Sequence, residues 1–397
     1  MAAPSSLYRN AIDLNRYSNS VAKQIVLAYN DIAIDAVNQL RTTDEMSAPV
    51  KAARLRAILA QLKESLGTWS QGSVATMTQE LQGLAELQST FTEEQLKKVL
   101  PAGPADQVNT VEISPQFAQS VVTTDPTQVN LVTLSDDLTA AVRGAPQTYS
   151  LTTAKGATIT LPNGEVVQKA FRGIAESQAQ LFAQVIRSGL LTGESTQDIA
   201  RRLIGTLQLG AEGSLKQLAK RGGQLTNAAN HQVMALVRTS VNQVANAASQ
   251  QVYEANQDVT QRYRYVATLD SRTSAICAAL DGQEFEYGKG PTPPQHFNCR
   301  STTVPIINYE ELGLTPPPGG KRQSMDGLVD ANISYGKWLE EQGATVQGEV
   351  LGKSKVAYFN LLSKKHGPQK ALSMLVRDDG SELTLEQLRR RYGTPKS

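Results

Sequence analysis

Residues 262–307 constrain the fold more than any other stretch of the chain. Both cysteines of the protein, Cys277 and Cys299, lie within them, together with His296, one of only three histidines. The stretch begins with an alternating, strand-like run, continues through a short helical segment and an Asp-Gly turn, and returns to strand-like residues before and after a loop rich in glycine and proline. It therefore predicts a small sheet that brings the cysteines and the histidine toward one another.

The order of residues within this stretch forms a long motif. Thr268 to Cys277 reads Thr-Leu-Asp-x-Arg-Thr-Ser-x-x-Cys, a Leu-Asp-Gly turn follows, and Pro293 to Arg300 reads Pro-Pro-x-His-x-Asn-Cys-Arg. This motif resembles that of the phage Mu F-like minor head proteins, which are also called head morphogenesis proteins. The resemblance extends from about Phe171 to the C-terminal end.

Two positions depart from the pattern that this family usually shows. Ser240, at the end of the segment Val-Arg-Thr-Ser, stands where the family usually has an acidic residue. Ser301 stands where many members have a second cysteine after the Cys-Arg pair. The full set of motif side chains is therefore not retained in this chain.

The resemblance implies a structural protein rather than an enzyme. Such a protein is expected to assemble in the host cytoplasm and to reside in the virion, inside the head near the portal. The implied partners are the portal protein, the major capsid or scaffolding protein, and packaged double-stranded DNA.

Two other functions stay open at this point. One is a DNA-binding ejection protein, and the other is a metal-dependent enzyme centred on Cys277, His296 and Cys299. Against an enzyme, the chain lacks the Gly-x-Ser-x-Gly, P-loop and His-Glu-x-x-His motifs that carry hydrolytic or phosphoryl-transfer chemistry.

Cys277, His296 and Cys299 are residue types that bind zinc, and they come from two separate segments that a fold could bring together. Asp270 is predicted as the fourth ligand, with Asp281 as an alternative carboxylate. Two other interpretations remain open. The thiols could be free and buried beside a hydrogen-bonded histidine, or they could form a disulfide once the virion leaves the cell.

A charged network is predicted beside this cluster. Asp270 ends a strand, where its carboxylate can accept backbone N–H groups and pair with the guanidinium groups of Arg272 and Arg300. Arg238 lies one position from the apolar face of a helix and is predicted either to turn inward and brace the motif or to remain on the surface.

Apolar residues recur at helical spacing over most of the chain, which predicts a predominantly helical α+β fold. The predicted regions are an N-terminal helical bundle or arm (1–100), a mixed Pro/Thr-rich region with a β-hairpin (101–169), the Mu F-like domain with a small sheet (170–310), a Pro/Gly linker (311–333) and a basic, mostly helical tail (334–397).

Two local details are predicted as well. The N-terminal region is expected to hold separate helices, the last of them opened by a capping box at Thr92. The hairpin of the mixed region is expected over residues 158–167, around an Asn-Gly turn.

Positive charge concentrates near the C-terminal end. Residues 353–397 contain ten basic and four acidic side chains, although the whole chain carries a net charge of only +2. Arg389, Arg390 and Arg391 are predicted to contact DNA or a partner, and a solvated helix face is the alternative. No run of 18 apolar residues occurs, so a membrane span is not expected.

Overall fold

The structure is a computed structural model that describes residues 5–115, 117–123, 127–133, 148–153, 157–159, 161–204, 224–315, 320–377 and 380–395. Its helices, numbered along the chain, are α1 (Ser5–Arg41), α2 (Ala48–Val99), α3 (Ala102–Ala105), α4 (Phe117–Thr123), α5 (Val167–Leu191), α6 (Thr196–Ile204), α7 (Gln224–Ala255), α8 (Ala275–Leu280), α9 (Tyr335–Glu340), α10 (Ala344–Leu351), α11 (Lys353–His366), α12 (Pro368–Ser373) and α13 (Leu385–Tyr392).

The strands form three small sheets. They are β1 (Thr110–Ile113), β2 (Thr127–Thr133), β3 (Thr148–Thr153), β4 (Ala157–Ile159), β5 (Thr260–Val266), β6 (Glu284–Glu286), β7 (Thr302–Ile307), β8 (Lys321–Ser324) and β9 (Gly327–Asp330). The first sheet has the order β1-β3-β2-β4, the second is the antiparallel sheet β6-β5-β7, and β8 pairs with β9. The prediction of a predominantly helical α+β fold with a small sheet in the motif region is confirmed.

One core joins the N-terminal helices to the helices before the motif. The indole of Trp69 on α2 contacts the rings of Tyr29 on α1 and Phe171 on α5, at centroid distances of 5.5 and 5.8 Å. The Trp69 N–H donates to the carbonyl of Ile25 at 3.0 Å, and the Tyr29 hydroxyl donates to Gln178 on α5 at 2.8 Å. Because the three aromatic side chains are buried, and those of Trp69 and Tyr29 are also hydrogen-bonded to neighbouring helices, α1, α2 and α5 pack as a unit.

Helix α2 differs from the separate helices predicted for this region. It runs without a break from Ala48 to Val99 and begins after Ser47 with a proline in its first turn. Thr92 does not open a new helix, because its hydroxyl donates to the carbonyl of Gln88 one turn earlier in α2. Glycines within α2 are tolerated because the buried face of the helix packs on its neighbours.

The predicted hairpin around residues 158–167 is also wrong. The turn itself forms, with the N–H of Leu161 donating to the carbonyl of Glu165 at 3.0 Å and Gly164 at a φ of 79°. However, β4 pairs with β2, and the chain after the turn enters α5 at Val167. Val166 and Val167, which suggested a strand, are instead buried where the helix begins.

A second core lies on the other side of the motif. Tyr265, Cys277 and Cys299 of the motif are buried there against side chains of the C-terminal helices, among them Trp338 and Phe359. Aromatic residues of α9 and α11 therefore share one core with Cys277 of α8 and Cys299 of the loop before β7.

The prediction of a linker over residues 311–333 is wrong for residues 321–330. Residues 321–330 form the β8–β9 hairpin, and the side chain of Arg322 in β8 is only 5% exposed. Since this hairpin reaches Leu269 of the motif through a backbone hydrogen bond of 2.8 Å from Met325, it is part of the folded core.

Candidate functional site

The two cysteines and His296 meet in the second core. Cys277 lies in α8, whose first turn is capped by the hydroxyl of Ser274, and the other two residues lie in the loop between β6 and β7. The Cys277 Sγ atom is 3.7 Å from Cys299 Sγ and 3.3 Å from His296 Nε2. The ligand atoms of the three residues all lie within 4.8 Å of one another, so the structure brings together the three predicted soft ligands.

A tight turn presents His296 and Cys299 on the same side of their loop. The N–H of Cys299 donates to the carbonyl of His296 at 3.2 Å, and Asn298 adopts a φ of 61° between them. Asparagine tolerates this left-handed conformation better than most residues. The N–H of Asn298 also donates to the hydroxyl of Thr239 on α7 at 2.9 Å, which ties the turn to the long helix before the motif.

The imidazole of His296 has a defined orientation. Its Nδ1 lies 2.8 Å from the carbonyl oxygen of Phe297, which accepts a hydrogen bond from Nδ1–H. Nε2 then faces Cys277 Sγ and the Ser274 hydroxyl, which is 2.7 Å away. The ring therefore directs Nε2 into the centre of the cluster.

The two thiols are electrostatically different. The hydrogen bond from Cys277, together with His296, lowers the pKa of Cys299 well below its usual range, despite burial. Conversely, the hydrogen bond to Cys299 and burial raise the pKa of Cys277. The cluster therefore favours one thiolate, on Cys299, beside one neutral thiol.

Asp270 is not part of the Cys–His cluster. Both of its carboxylate oxygens accept from the guanidinium of Arg300, one of them at 2.8 Å, and Oδ1 also accepts from the N–H of Arg272 at 3.1 Å. Burial alone would raise the pKa of Asp270, but the hydrogen bonds and charge of Arg300 outweigh it and hold that pKa below its usual value. Among the described residues, the group that could hold a metal ion contains Cys277, His296 and Cys299 without Asp270.

The other two arginines of the predicted network lie at its edge. The Arg272 side chain is 78% exposed and its nearest approach to Asp270 is 3.6 Å. Arg238 donates to Asn19 on α1 at 2.8 Å and to Asn298 of the motif at 3.4 Å, rather than to Asp270. Burial, followed by the charges of Arg272 and Arg300, lowers the pKa of Arg238.

A second and deeper ion pair was not predicted from the sequence. Asp281 is fully buried, and its two oxygens accept from the guanidinium of Arg322 at 2.9 and 3.2 Å. They also accept from the backbone N–H groups of Ala267 and Tyr335, at 2.7 and 2.6 Å. Asp281, the alternative fourth metal ligand, therefore joins the motif, the β8–β9 hairpin and helix α9.

The three arginines at 389–391 lie on α13 and are exposed. Leu388 is the buried residue of this helix, and Arg390 pairs with Glu386 one turn earlier at 2.5 Å. Their exposure leaves them accessible to an acidic partner.

A large groove follows helices α2 and α5 and ends at α4, with a volume of about 1750 Å³. We call it the α2–α5 groove. Its lining includes small side chains, such as Gly67, Ala175 and Ala179, and its charged lining residues are Arg56, Lys63, Arg172, Glu176 and Arg187. The groove is therefore basic overall.

The fold and these sites define a predominantly helical α+β protein with a Cys–His cluster in its second core. None of the helices in the described part of the chain is long and apolar enough to cross a membrane. Residues 180–304 match the family described as Phage Mu protein F like protein. Neither the curated proteins nor the solved structures give a match.

The resemblance inferred from the motif is thereby confirmed. Residues 180–304, which run from α5 to β7 and include the whole Cys–His cluster, match the model of the phage Mu F-like family, and this match supports a phage head morphogenesis protein. This family is one of structural head proteins.

Proposed function

We propose that the protein is a minor head protein that binds the portal on the inner side of the head during assembly, and that the α2–α5 groove is the portal-binding surface. It would act in the host cytoplasm during assembly and remain in the virion near the portal. The observation that carries this proposal is the groove itself, which lies between an N-terminal helix and the first helix of the motif region.

The size of the groove suits a helix. A helix about 10 Å in diameter that rises 1.5 Å per residue fills the groove volume with roughly 15 residues. In helix-in-groove complexes an amphipathic helix lays its apolar face into such a groove. The small side chains in the lining of this groove leave room for a helix backbone to approach closely.

The charge of the groove selects among partner helices. Arg56, Lys63, Arg172 and Arg187 are all exposed and stand against a single acidic lining residue, Glu176. Complementary charge speeds association and disfavours basic partners. We therefore propose an acidic amphipathic helix of the portal protein as the occupant.

Binding of the purified full-length protein to the portal encoded by the same phage tests this proposal. Charge reversal at the groove, by Arg56→Glu, Lys63→Glu, Arg172→Glu and Arg187→Glu together, should weaken binding by at least about tenfold, since rim charges steer association and desolvated ones add affinity. The matched control reverses four exposed lysines outside the groove, Lys353→Glu, Lys364→Glu, Lys365→Glu and Lys370→Glu, and should bind as the wild type does.

Two results would contradict the proposal. One is a wild-type protein that does not bind the portal at any salt concentration. The other is equal binding by the groove variant and the control, which would place the portal contact on another surface of the molecule.

A contact with packaged double-stranded DNA is a second proposal, and the exposed arginines of α13 favour it. The other function left open by the sequence, a DNA-binding ejection protein, would also require DNA binding that depends on salt concentration.

The alternative of a metal-dependent enzyme has weaker support. Its cluster is mostly buried, and the neighbouring carboxylates Asp270 and Asp281 are engaged by arginines.

A further inference from the structure

We propose that the protein binds one structural zinc ion through Cys277 Sγ, Cys299 Sγ and His296 Nε2. This inference concerns the stability of the motif region and is independent of the proposed portal contact. It rests on the distances between the three ligand atoms, the hydrogen bonds around them and the composition of the loop that they fasten.

The distances match a tetrahedral zinc site. Zinc binds thiolate sulfur at about 2.3 Å and imidazole nitrogen at about 2.0 Å, so two thiolates on one ion lie about 3.8 Å apart and a thiolate and an imidazole lie about 3.5 Å apart. The corresponding distances here are 3.7 Å between the two sulfur atoms and 3.3 Å between Cys277 Sγ and His296 Nε2. An ion therefore fits between these atoms with small shifts of the side chains.

The groups around the ligands orient them as the outer shell of a zinc site does. Because His296 Nδ1 donates to the carbonyl of Phe297, the lone pair of the ring is on Nε2, which is the arrangement usual for zinc-bound histidine. A zinc ion at Nε2 would replace its hydrogen bond with the Ser274 hydroxyl, which is 2.7 Å away. The Tyr265 hydroxyl lies 3.2 Å from Cys277 Sγ and is buried, so it can donate to the thiolate that a zinc site requires. The backbone N–H of Ser301 similarly supports Cys299.

The fourth coordination position belongs to a water molecule. Within the part of the chain that the structure describes, no further histidine, cysteine or carboxylate joins these three residues as a fourth ligand. Asp270 and Asp281 are held by Arg300 and Arg322. Water can reach the ion from the side of His296, which is half-buried and is followed by exposed residues.

The loop between β6 and β7 gives the ion a structural role. Residues 288–301 contain two glycines and three prolines and form neither helix nor strand, so few backbone hydrogen bonds hold them. A zinc ion would join this loop to α8 through one ligand in the helix and two in the loop. Loops of this kind with a small core of their own are commonly stabilised by a metal.

The test is the metal content of the full-length protein, produced with zinc in the medium and purified under reducing conditions without chelator. We expect about one zinc ion per chain, because the three ligand atoms lie close enough together to share one ion. Cys277→Ser, Cys299→Ser and His296→Gln should each lower the zinc content several-fold. His231→Gln, which changes an exposed histidine on α7, is the matched control and should retain the wild-type content.

A second measurement covers variants that fail to fold. Wild-type protein in which cobalt(II) replaces zinc should show thiolate-to-cobalt charge-transfer absorption, and removing the metal should speed hydrogen exchange of residues 288–301. Three results would overturn the proposal: only traces of zinc and no such absorption in the wild type, a zinc content that the cysteine variants leave unchanged, or a Cys277–Cys299 disulfide in the reduced preparation.

Discussion

Replacing Asp281 by asparagine should destabilise the second core by about 3–5 kcal/mol, the usual consequence of removing one partner of a buried ion pair. Asp281 is fully buried and Arg322 is 5% exposed, so solvent does not screen the pair. The substitution leaves the guanidinium charged, buried and without its counter-ion.

The magnitude follows from the contacts of the carboxylate. Its two oxygens accept four hydrogen bonds, two from Arg322 and one each from the N–H groups of Ala267 and Tyr335. Asparagine keeps one acceptor oxygen and replaces the other by an NH₂ group, which cannot accept from an N–H donor. Each buried donor left without a partner costs about 1–3 kcal/mol, and more when the donor is charged.

The two tryptophans of the chain make the assay specific. Trp69 lies in the first core and Trp338 in the second, where it contacts Tyr335 at a centroid distance of 5.1 Å. In a Trp69→Phe background, fluorescence reports on the second core alone. Urea unfolding followed by Trp338 fluorescence then gives the change in the free energy of unfolding for each variant.

A double-mutant cycle separates the ion pair from general damage. Arg322→Met combined with Asp281→Asn should cost less than the sum of the two single changes, because the unpaired charge is removed. Glu386→Gln breaks a solvent-exposed ion pair on α13 and should change stability by less than about 0.5 kcal/mol. A loss below about 1 kcal/mol for Asp281→Asn, or additive single changes, would refute the reasoning.

Three further outcomes are expected. Gly336→Ala should destabilise the protein by about 1–3 kcal/mol in urea unfolding because an added Cβ would lie 2.5 Å from backbone atoms of α12, whereas Gly348→Ala in α10 has room and should be neutral or stabilising. The stability difference between wild type and Asp270→Asn should shrink as the pH falls below about 4, because the low pKa of Asp270 stabilises the fold only while the carboxylate is ionised; acid titrations of both proteins check this. Changing arginines 389–391 to glutamine should weaken binding to double-stranded DNA and flatten its dependence on salt concentration in a fluorescence-anisotropy titration.

The motif region was largely predictable because its structure is encoded locally. Alternating residues before Asp270 predicted β5, the helix-like segment after the turn became α8, and the cysteines and His296 meet as their spacing suggested. Each of these features depends on neighbours within a few positions in the chain or on one loop closure.

The second ion pair could not be predicted because its partners lie 41 positions apart in the sequence. Arg322 follows a run rich in proline and glycine, and polar neighbours on both sides gave it the pattern of a surface residue. Its burial depends on how the β8–β9 hairpin docks on the motif. Asp281 precedes a glycine in a turn pattern, and this pattern is the same whether the carboxylate is buried or exposed.

The length of α2 was missed for a related reason. The capping pattern at Thr92 suggested that a separate helix begins there, yet packing against α5 and α7 overrides this local preference. The α2–α5 groove is likewise a product of tertiary packing. No local sequence pattern indicated that residues from 56 to 191 would line one surface.

The most direct test of the proposed function is the amount of this protein in purified procapsids assembled with and without the portal. Quantitative mass spectrometry should find the protein in portal-containing procapsids, in a fixed ratio to the portal, and should find it strongly depleted from procapsids that lack the portal. Equal amounts in both kinds of procapsid, or its absence from both, would contradict attachment through the portal.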